Sequence, residues 1–148
     1  MARMSRELLE AYRATSYTAE TPAGVITLRV GQTCRAMRRL MGEHGVMTAV
    51  YLTAANPGSE VLSDAENAAR LAELDASLDR DGFDYYVGRA IADAGDWPDE
   101  ASRLVLGMTR AEGARLALRM GQHAFLACDR GRDAGGDPGV ELVVVHDS

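Results

Sequence analysis

The chain contains no lysine, because all sixteen of its basic residues are arginine. This absence excludes a P-loop lysine, a Schiff-base lysine and a Ser–Lys catalytic pair. Every permanent side-chain cation is therefore a planar guanidinium, which suits carboxylates and phosphates. The net charge of −6 over 148 residues argues against a protein that binds a nucleic-acid backbone or a membrane surface.

Cysteine is scarce, and long apolar runs are missing. Cys34 and Cys128 lie in apolar segments, which predicts reduced core residues and not a disulfide framework. No apolar run approaches the roughly 18 residues of a transmembrane helix. Residues 1–12 have no continuous apolar stretch of signal-peptide length. We therefore expect a cytoplasmic protein with no membrane partner.

The sequence also lacks the common motifs of catalysis and metal binding. It has no G-x-S-x-G, no G-x-G-x-x-G and no H-E-x-x-H. Its three histidines and two cysteines show no paired ligand spacing, so we expect no metal site and no cofactor. Whether the protein is an enzyme is left open by these absences.

Strand-like and helical segments alternate along the chain. Capping boxes at residues 63–66 and 109–112 predict the starts of two helices, which extend to about residues 80 and 121. Shorter helices are predicted over 5–13 and 32–43, and strands over 17–20, 25–30, 46–54, 84–91, 102–107, 122–128 and 140–146. This order predicts one α/β (α+β) domain over 1–148, a sandwich with a central mixed β-sheet flanked by helices. Residues 129–139, rich in aspartate and glycine, predict a flexible loop.

The helix after residue 63 carries an amide on its apolar stripe. Asn67 shares that stripe with Leu71, Leu74 and Leu78, at spacings of four, three and four. A buried amide without partners costs roughly 1–3 kcal/mol, so Asn67 needs a specific partner. It either fastens the preceding loop or faces a pocket. Arg70 lies near the edge of the stripe and would point the same way.

The loop before this helix is rich in hydroxyl and amide side chains. Thr53, Asn56 and Ser59 follow an apolar strand and lead to the capped helix. In open α/β sheets, ligands bind beyond the carboxyl ends of strands, and a helix N-terminus offers free N–H groups to an anion. Together with Asn67 and Arg70, these residues predict an anion site. The alternative is an ordinary turn whose side chains bond their own backbone.

Two further segments carry candidate residues. Trp97, the only tryptophan, lies near Glu100 and Ser102 just before a strand, and is either a core or lid residue or a platform for a ligand. Glu100 is the candidate general acid or base. Gln122 begins a strand after a helix-ending glycine, which places its amide over an otherwise apolar face.

Four motifs occur in a fixed order and together resemble a known family. They read T-A-x-N-P-x-S at 53–59, E-N-x-x-R at 66–70, W-x-x-E-x-S at 97–102 and G-Q-x-A at 121–124. This series, over roughly residues 12–126, resembles the bacterial family catalogued as domain of unknown function 3293. The resemblance supplies no established activity. It implies that these polar positions form one recurring constellation and share a site.

Two functions are consistent with these features. The first is an enzyme or sensor that binds a small polar or anionic molecule, such as a nucleotide. Its catalytic residue would be Glu100, and its ligand-binding residues would be Thr53, Asn56, Ser59, Asn67, Arg70, Trp97, Ser102 and Gln122. The second is a non-enzymatic module whose polar residues form a buried network, with the function in a protein partner or a homodimer contact. The acidic charge makes a nucleic-acid partner the least favoured.

Overall fold

A computed structural model of the protein describes residues 5–95, 97–130 and 136–145, and only the backbone of Ser59. These residues form four α-helices and seven β-strands. The helices are α1 (Arg6–Arg13), α2 (Arg35–His44), α3 (Asp64–Arg80) and α4 (Arg110–Arg119). The strands are β1 (Thr15–Thr21), β2 (Gly24–Leu28), β3 (Thr48–Leu52), β4 (Asp84–Ala92), β5 (Glu100–Leu106), β6 (Ala124–Asp129) and β7 (Val140–Val144). None of the described helices is long and apolar enough to cross a membrane.

The seven strands form one sheet in the order β2-β1-β4-β5-β3-β6-β7, and every neighbouring pair is antiparallel. The predicted mixed sheet is therefore wrong, although the α+β class is confirmed. Each of α2, α3 and α4 does connect two strands that run in the same direction. In every case at least one strand of opposite direction lies between them, so the sheet contains no parallel pair among the described residues.

Helices cover both faces of the sheet. On one face, Met37, Leu40 and Met41 of α2 pack against alternate residues of the strands. On the other face, α3 and α4 supply a second cluster of buried side chains. Residues Ala49 and Tyr51 of β3 belong to the first cluster, whereas Val50 and Leu52 belong to the second. Strand β3 is thus buried on both faces, which explains its nearly continuous apolar sequence.

Both predicted capping boxes are confirmed. The Ser63 hydroxyl accepts a hydrogen bond from the backbone N–H of Glu66, whose side chain accepts one from Ser63 N–H. Thr109 and Glu112 make the same pair of contacts at the start of α4. Each box satisfies N–H groups that the first turn of a helix leaves unpaired. Both helices therefore begin where their sequences predict.

The two edges of the sheet meet at one end, so the sheet is curled. Gly31 N–H donates to Val140 O at 2.8 Å, and Val140 N–H donates to Gln32 O at 2.9 Å. Cys34 N–H donates to Pro138 O at 3.0 Å. These contacts join the segment after β2 to the start of β7. Of the loop predicted over 129–139, residues 131–135 lie outside the described part of the chain.

A tyrosine from the middle of the sheet reaches across two neighbouring strands. The Tyr51 hydroxyl of β3 donates a hydrogen bond to Thr18 O of β1 at 2.7 Å, above β5 and β4. It passes beside Gly88, where an added Cβ would lie 1.9 Å from Thr18 O. Gly88 therefore provides the space in which β1, β4 and the tyrosine come together.

Candidate functional site

A cavity of about 260 Å³ opens at one end of the sheet. The ends of β3 and β4 meet there with the beginnings of β1, β5 and β6, and α1 forms one wall. An apolar cavity of about 150 Å³ holds benzene, so this one has room for one or two rings. Most of the wall consists of small or apolar and aromatic side chains: Leu8, Ala11, Tyr12, Ala14, Tyr17, Ala90, Ala92, Ala94 and Trp97.

Glu100 places a carboxylate in this cavity at the start of β5. Its Oε2 accepts a hydrogen bond from Asn56 Nδ2 at 2.8 Å, and the carboxylate also accepts one from the Trp97 side chain. Burial raises the pKa of Glu100 above its ordinary value, and these two hydrogen bonds partly oppose the rise. The site therefore holds an acid group in surroundings that disfavour its charge.

Asn56 links this carboxylate to helix α3. Its backbone is in the left-handed region, with φ of +48°, and its side chain is buried. Asn56 Oδ1 accepts hydrogen bonds from Leu62 N–H at 3.0 Å and from Asn67 Nδ2 at 2.8 Å. In return, Asn56 N–H donates to Asn67 Oδ1 at 2.9 Å. Asn67 thus fastens the preceding loop, one of the two roles that its position predicts, and lies behind Asn56 and not on the cavity wall.

Arg70 fastens two loops to each other. Its Nε donates to Ala54 O at 2.6 Å, and a second guanidinium nitrogen donates to Met120 O. Gln122 makes a parallel link, since its Nε2 donates to Ala55 O at 3.0 Å. Of the described residues, no arginine lines the cavity. The guanidinium that the sequence suggested for an anion is therefore directed to backbone carbonyls.

The remaining predicted residues fall into separate positions. The Thr53 hydroxyl donates to Ala101 O at 2.6 Å and accepts from Ala55 N–H at 2.9 Å. The Ser102 hydroxyl is buried and donates to Glu100 O at 3.0 Å. Neither lines the cavity. The Ser59 side chain lies outside the described part of the structure, so its role in binding stays a prediction.

The structure brings Asn56, Trp97, Glu100 and Gln122 together on the cavity wall, with Thr53, Asn67, Arg70 and Ser102 supporting the backbone around them. Trp97 is 44% exposed and therefore lies at the rim. The cavity differs from the carboxyl edge of an open α/β sheet, because the sheet is antiparallel and strand beginnings contribute to the wall as much as strand ends.

Several residues of the cavity wall were not predicted from the sequence. Ala90 and Ala92 lie on one face of β4, Ala94 follows two positions later, and this run of small residues was the available signal for a cavity. Tyr12 gave no signal, because its place depends on how α1 packs. Burial, with the charge of Glu100, raises the pKa of Tyr12 to about 12. His123 also lines the cavity, but its sequence position suggested no partner.

No group of three His, Cys, Asp or Glu side chains within the described ranges is placed to hold a metal ion. The candidate chemistry of the site is therefore that of Glu100 and its neighbours. The carboxylate can accept hydrogen bonds from a ligand, and its raised pKa suits proton transfer near neutral pH better than an ordinary glutamate.

Comparison with known proteins gives a family and no activity. Residues 52–125, half of the chain, match the family described as "Protein of unknown function (DUF3293)". No curated protein and no solved structure matches the chain. The matched segment runs from the end of β3 to the start of β6 and contains Asn56, Trp97, Glu100 and Gln122, whereas the wall from α1 and β1 lies outside it. The chain belongs to the DUF3293 family, as the order of its four motifs predicts.

Proposed function

We propose that the protein binds a small organic molecule of one or two rings in the cavity beside Glu100. The observation that carries this proposal is a carboxylate that Asn56 positions inside a largely apolar cavity. Placing a charged group in such surroundings costs folding free energy, and groups of this kind are concentrated at functional sites. The size of the cavity limits the ligand to a fragment, such as one ring with a short polar substituent.

The capacity of Glu100 for further hydrogen bonds supports a ligand. A carboxylate has about four acceptor positions. Among the described residues, the side chains that donate to it are those of Asn56 and Trp97. By contrast, Asn67 and Arg70 direct their donors to protein acceptors, which is the pattern of a structural network. Asn67 and Arg70 therefore fit the hypothesis of a structural network, whereas Glu100 fits the hypothesis of a ligand site.

Trp97 provides a direct measurement of binding. It is the only tryptophan in the chain, and it lies at the rim of the cavity. Titration with single-ring probes (benzylamine, benzyl alcohol and benzoate) is expected to change its fluorescence saturably for at least one probe. For ligands of this size, we expect a Kd of about 0.1–5 mM.

A variant that fills the cavity tests whether this signal comes from the proposed site. Ala92→Leu places a larger side chain on the wall and is expected to abolish the saturable change. Ala72→Leu makes the same substitution at an exposed position of α3 and is the matched control, with wild-type binding expected. Absence of a saturable response to all three probes, or equal binding by Ala92→Leu, would contradict the proposed function and favour a purely structural network.

Glu100→Gln is expected to increase thermal stability more at about pH 8 than at about pH 4. The pKa of Glu100 is raised in the folded protein, so the unfolded chain loses this proton at a lower pH than the folded one does. Stability contributed by the protonated acid is therefore lost as the pH rises through the folded pKa. Glutamine does not ionise, so it avoids the loss of stability at the higher pH, and it keeps an oxygen that can accept from Asn56. A gain of a few degrees in Tm is therefore expected at the higher pH. A difference in Tm that does not grow between the two pH values would contradict the prediction.

A further inference from the structure

The amide and indole nitrogens on the cavity wall already donate to acceptors of the protein. Asn56 Nδ2 donates to Glu100 at 2.8 Å, and the Trp97 side chain donates to the same carboxylate. Gln122 Nε2 donates to Ala55 O at 3.0 Å. The contacts of Gln122 use only its Nε2, which leaves its Oε1 as an acceptor. Apart from the second hydrogen of the Asn56 amide, these groups therefore leave acceptors for a ligand, chiefly the Glu100 carboxylate and Gln122 Oε1.

Two hydroxyl groups on the wall are engaged in the same way. Thr15 Oγ1 donates to Ala11 O at 2.7 Å, and the Tyr17 hydroxyl donates to Tyr12 O at 2.9 Å. A hydroxyl has one hydrogen to donate, so both hydroxyls retain only acceptor capacity. The Tyr12 hydroxyl and the His123 ring also line the cavity, and both can accept as well as donate.

The charged groups on the cavity wall also favour a cationic ligand over an anionic one. Glu100 is the carboxylate that lines the cavity, and no described arginine lines it. Arg70 directs its guanidinium to Ala54 O and Met120 O. An anion would therefore meet a negative charge with no arginine beside it. A cation would meet that charge together with the aromatic rings of Tyr12 and Trp97, which attract cations.

We propose that the ligand of this site is an amine or amidine, whose N–H groups pair with the Glu100 carboxylate while its ring occupies the alanine-lined wall. This inference rests on the proposed function and names the class of ligand. It replaces the anionic ligand that the sequence suggested, because the arginine assigned to the anion contacts backbone carbonyls instead. The expected order of affinity is benzylamine, then benzyl alcohol, then benzoate.

The three probes share a ring and differ mainly in charge, so their ranking tests the inference. At about pH 7.5 an alkylamine is protonated and a carboxylate such as benzoate is ionised. Under these conditions, benzylamine is expected to bind at least about 10-fold more tightly than benzoate, measured by Trp97 fluorescence. Ligand-detected NMR on the same samples checks that the fluorescence change reports binding.

Glu100→Gln identifies the group responsible for the selectivity. It is expected to weaken benzylamine binding at least about 10-fold while benzyl alcohol changes less than about threefold. Glu73→Gln removes one negative charge from an exposed position of α3 and is expected to leave both affinities unchanged. If Glu100→Gln fails to bind both probes, circular dichroism shows whether the variant has folded, and Glu100→Asp, which keeps the charge, is then expected to retain the preference for benzylamine.

The outcomes separate this inference from the proposed function. Benzoate binding as tightly as benzylamine, or benzylamine binding that Glu100→Gln does not weaken, overturns the amine ligand while saturable binding that Ala92→Leu blocks still supports a ligand site. No binding by any probe overturns both. Preference for benzylamine that disappears in Glu100→Gln and persists in Glu73→Gln supports both.

Discussion

Gly88→Ala is expected to lower the free energy of unfolding by about 3 kcal/mol or more, the largest effect of a single methyl group that the structure indicates. The added Cβ would lie 1.9 Å from Thr18 O and 2.9 Å from the Tyr51 hydroxyl. Because the nearer atom belongs to the backbone, rotation of a side chain cannot relieve the overlap. Strand β4 would have to move away from β1, where Gly88 is paired with Ala19.

Urea unfolding measures this effect, and Gly42→Ala is the matched control. Gly42 lies in helix α2, and among the described residues its added Cβ would meet the Arg130 guanidinium alone, at 3.6 Å, an ordinary contact. Alanine is the better helix former by roughly 0.5–1 kcal/mol, so this variant is expected to be as stable as the wild type or slightly more so. Similar stabilities of the two variants would show that β1 and β4 separate easily, contrary to the prediction.

The second large effect is expected at Asn56, whose replacement by alanine should cost about 3 kcal/mol. Alanine removes the side-chain hydrogen bonds to Leu62 N–H, Asn67 and Glu100. It also places an alanine at φ of +48°, a region that asparagine and glycine tolerate better. The partly buried N–H of Leu62 then loses its acceptor, which adds a desolvation cost.

Asn56→Gly separates the two causes. Glycine loses the same hydrogen bonds but has no strain in the left-handed region, so it should be about 1 kcal/mol more stable than Asn56→Ala. Denaturant unfolding of both variants gives this difference directly. Both variants should also change the Trp97 emission, because Glu100 loses the donor that fixes it. A glycine variant less stable than the alanine variant would contradict the assigned role of the left-handed backbone.

The sequence predicts those features of the fold that are decided within a few residues. The Ser63–Glu66 and Thr109–Glu112 boxes mark helix starts because a cap is made by side chains three positions apart. Gly121, with φ of +72°, follows the end of α4 for an equally local reason. The apolar run of β3 likewise indicates burial on both faces, which the structure confirms.

Strand direction could not be predicted from such local signals. Alternating strands and helices are typical of parallel sheets, and each helix here does join strands of the same direction. The strand placed between them decides the pairing, and that strand lies outside the strand–helix–strand segment itself. β5, for example, lies between β3 and β4. The position of a strand in the sheet depends on tertiary packing, so the sequence of one segment does not indicate it.

The candidate site also combines features that the sequence predicts with features that it does not. The sequence placed Asn56, Glu100 and Gln122 in one constellation, and the structure brings all three to one cavity. It could not show that Arg70 would contact the carbonyl of Met120, fifty residues away, because backbone carbonyls carry no sequence signal. Nor could it show that Tyr12 lines the same cavity as Glu100. The contacts of Arg70 are the reason why we propose a cationic ligand in place of an anionic one.

The meeting of the two sheet edges also constrains the order in which the chain can complete its fold. Gly31 and Cys34 pair with Val140 and Pro138, more than a hundred residues later. Contacts at such separation carry a large loop-closure cost and form slowly. On the ribosome, β1, β2 and α2 emerge well before the strand that completes this edge. The cavity wall from β1 is likewise translated before β4, β5 and residues 122–123, which complete the cavity, so its apolar surface stays uncovered and open to misassociation until they emerge.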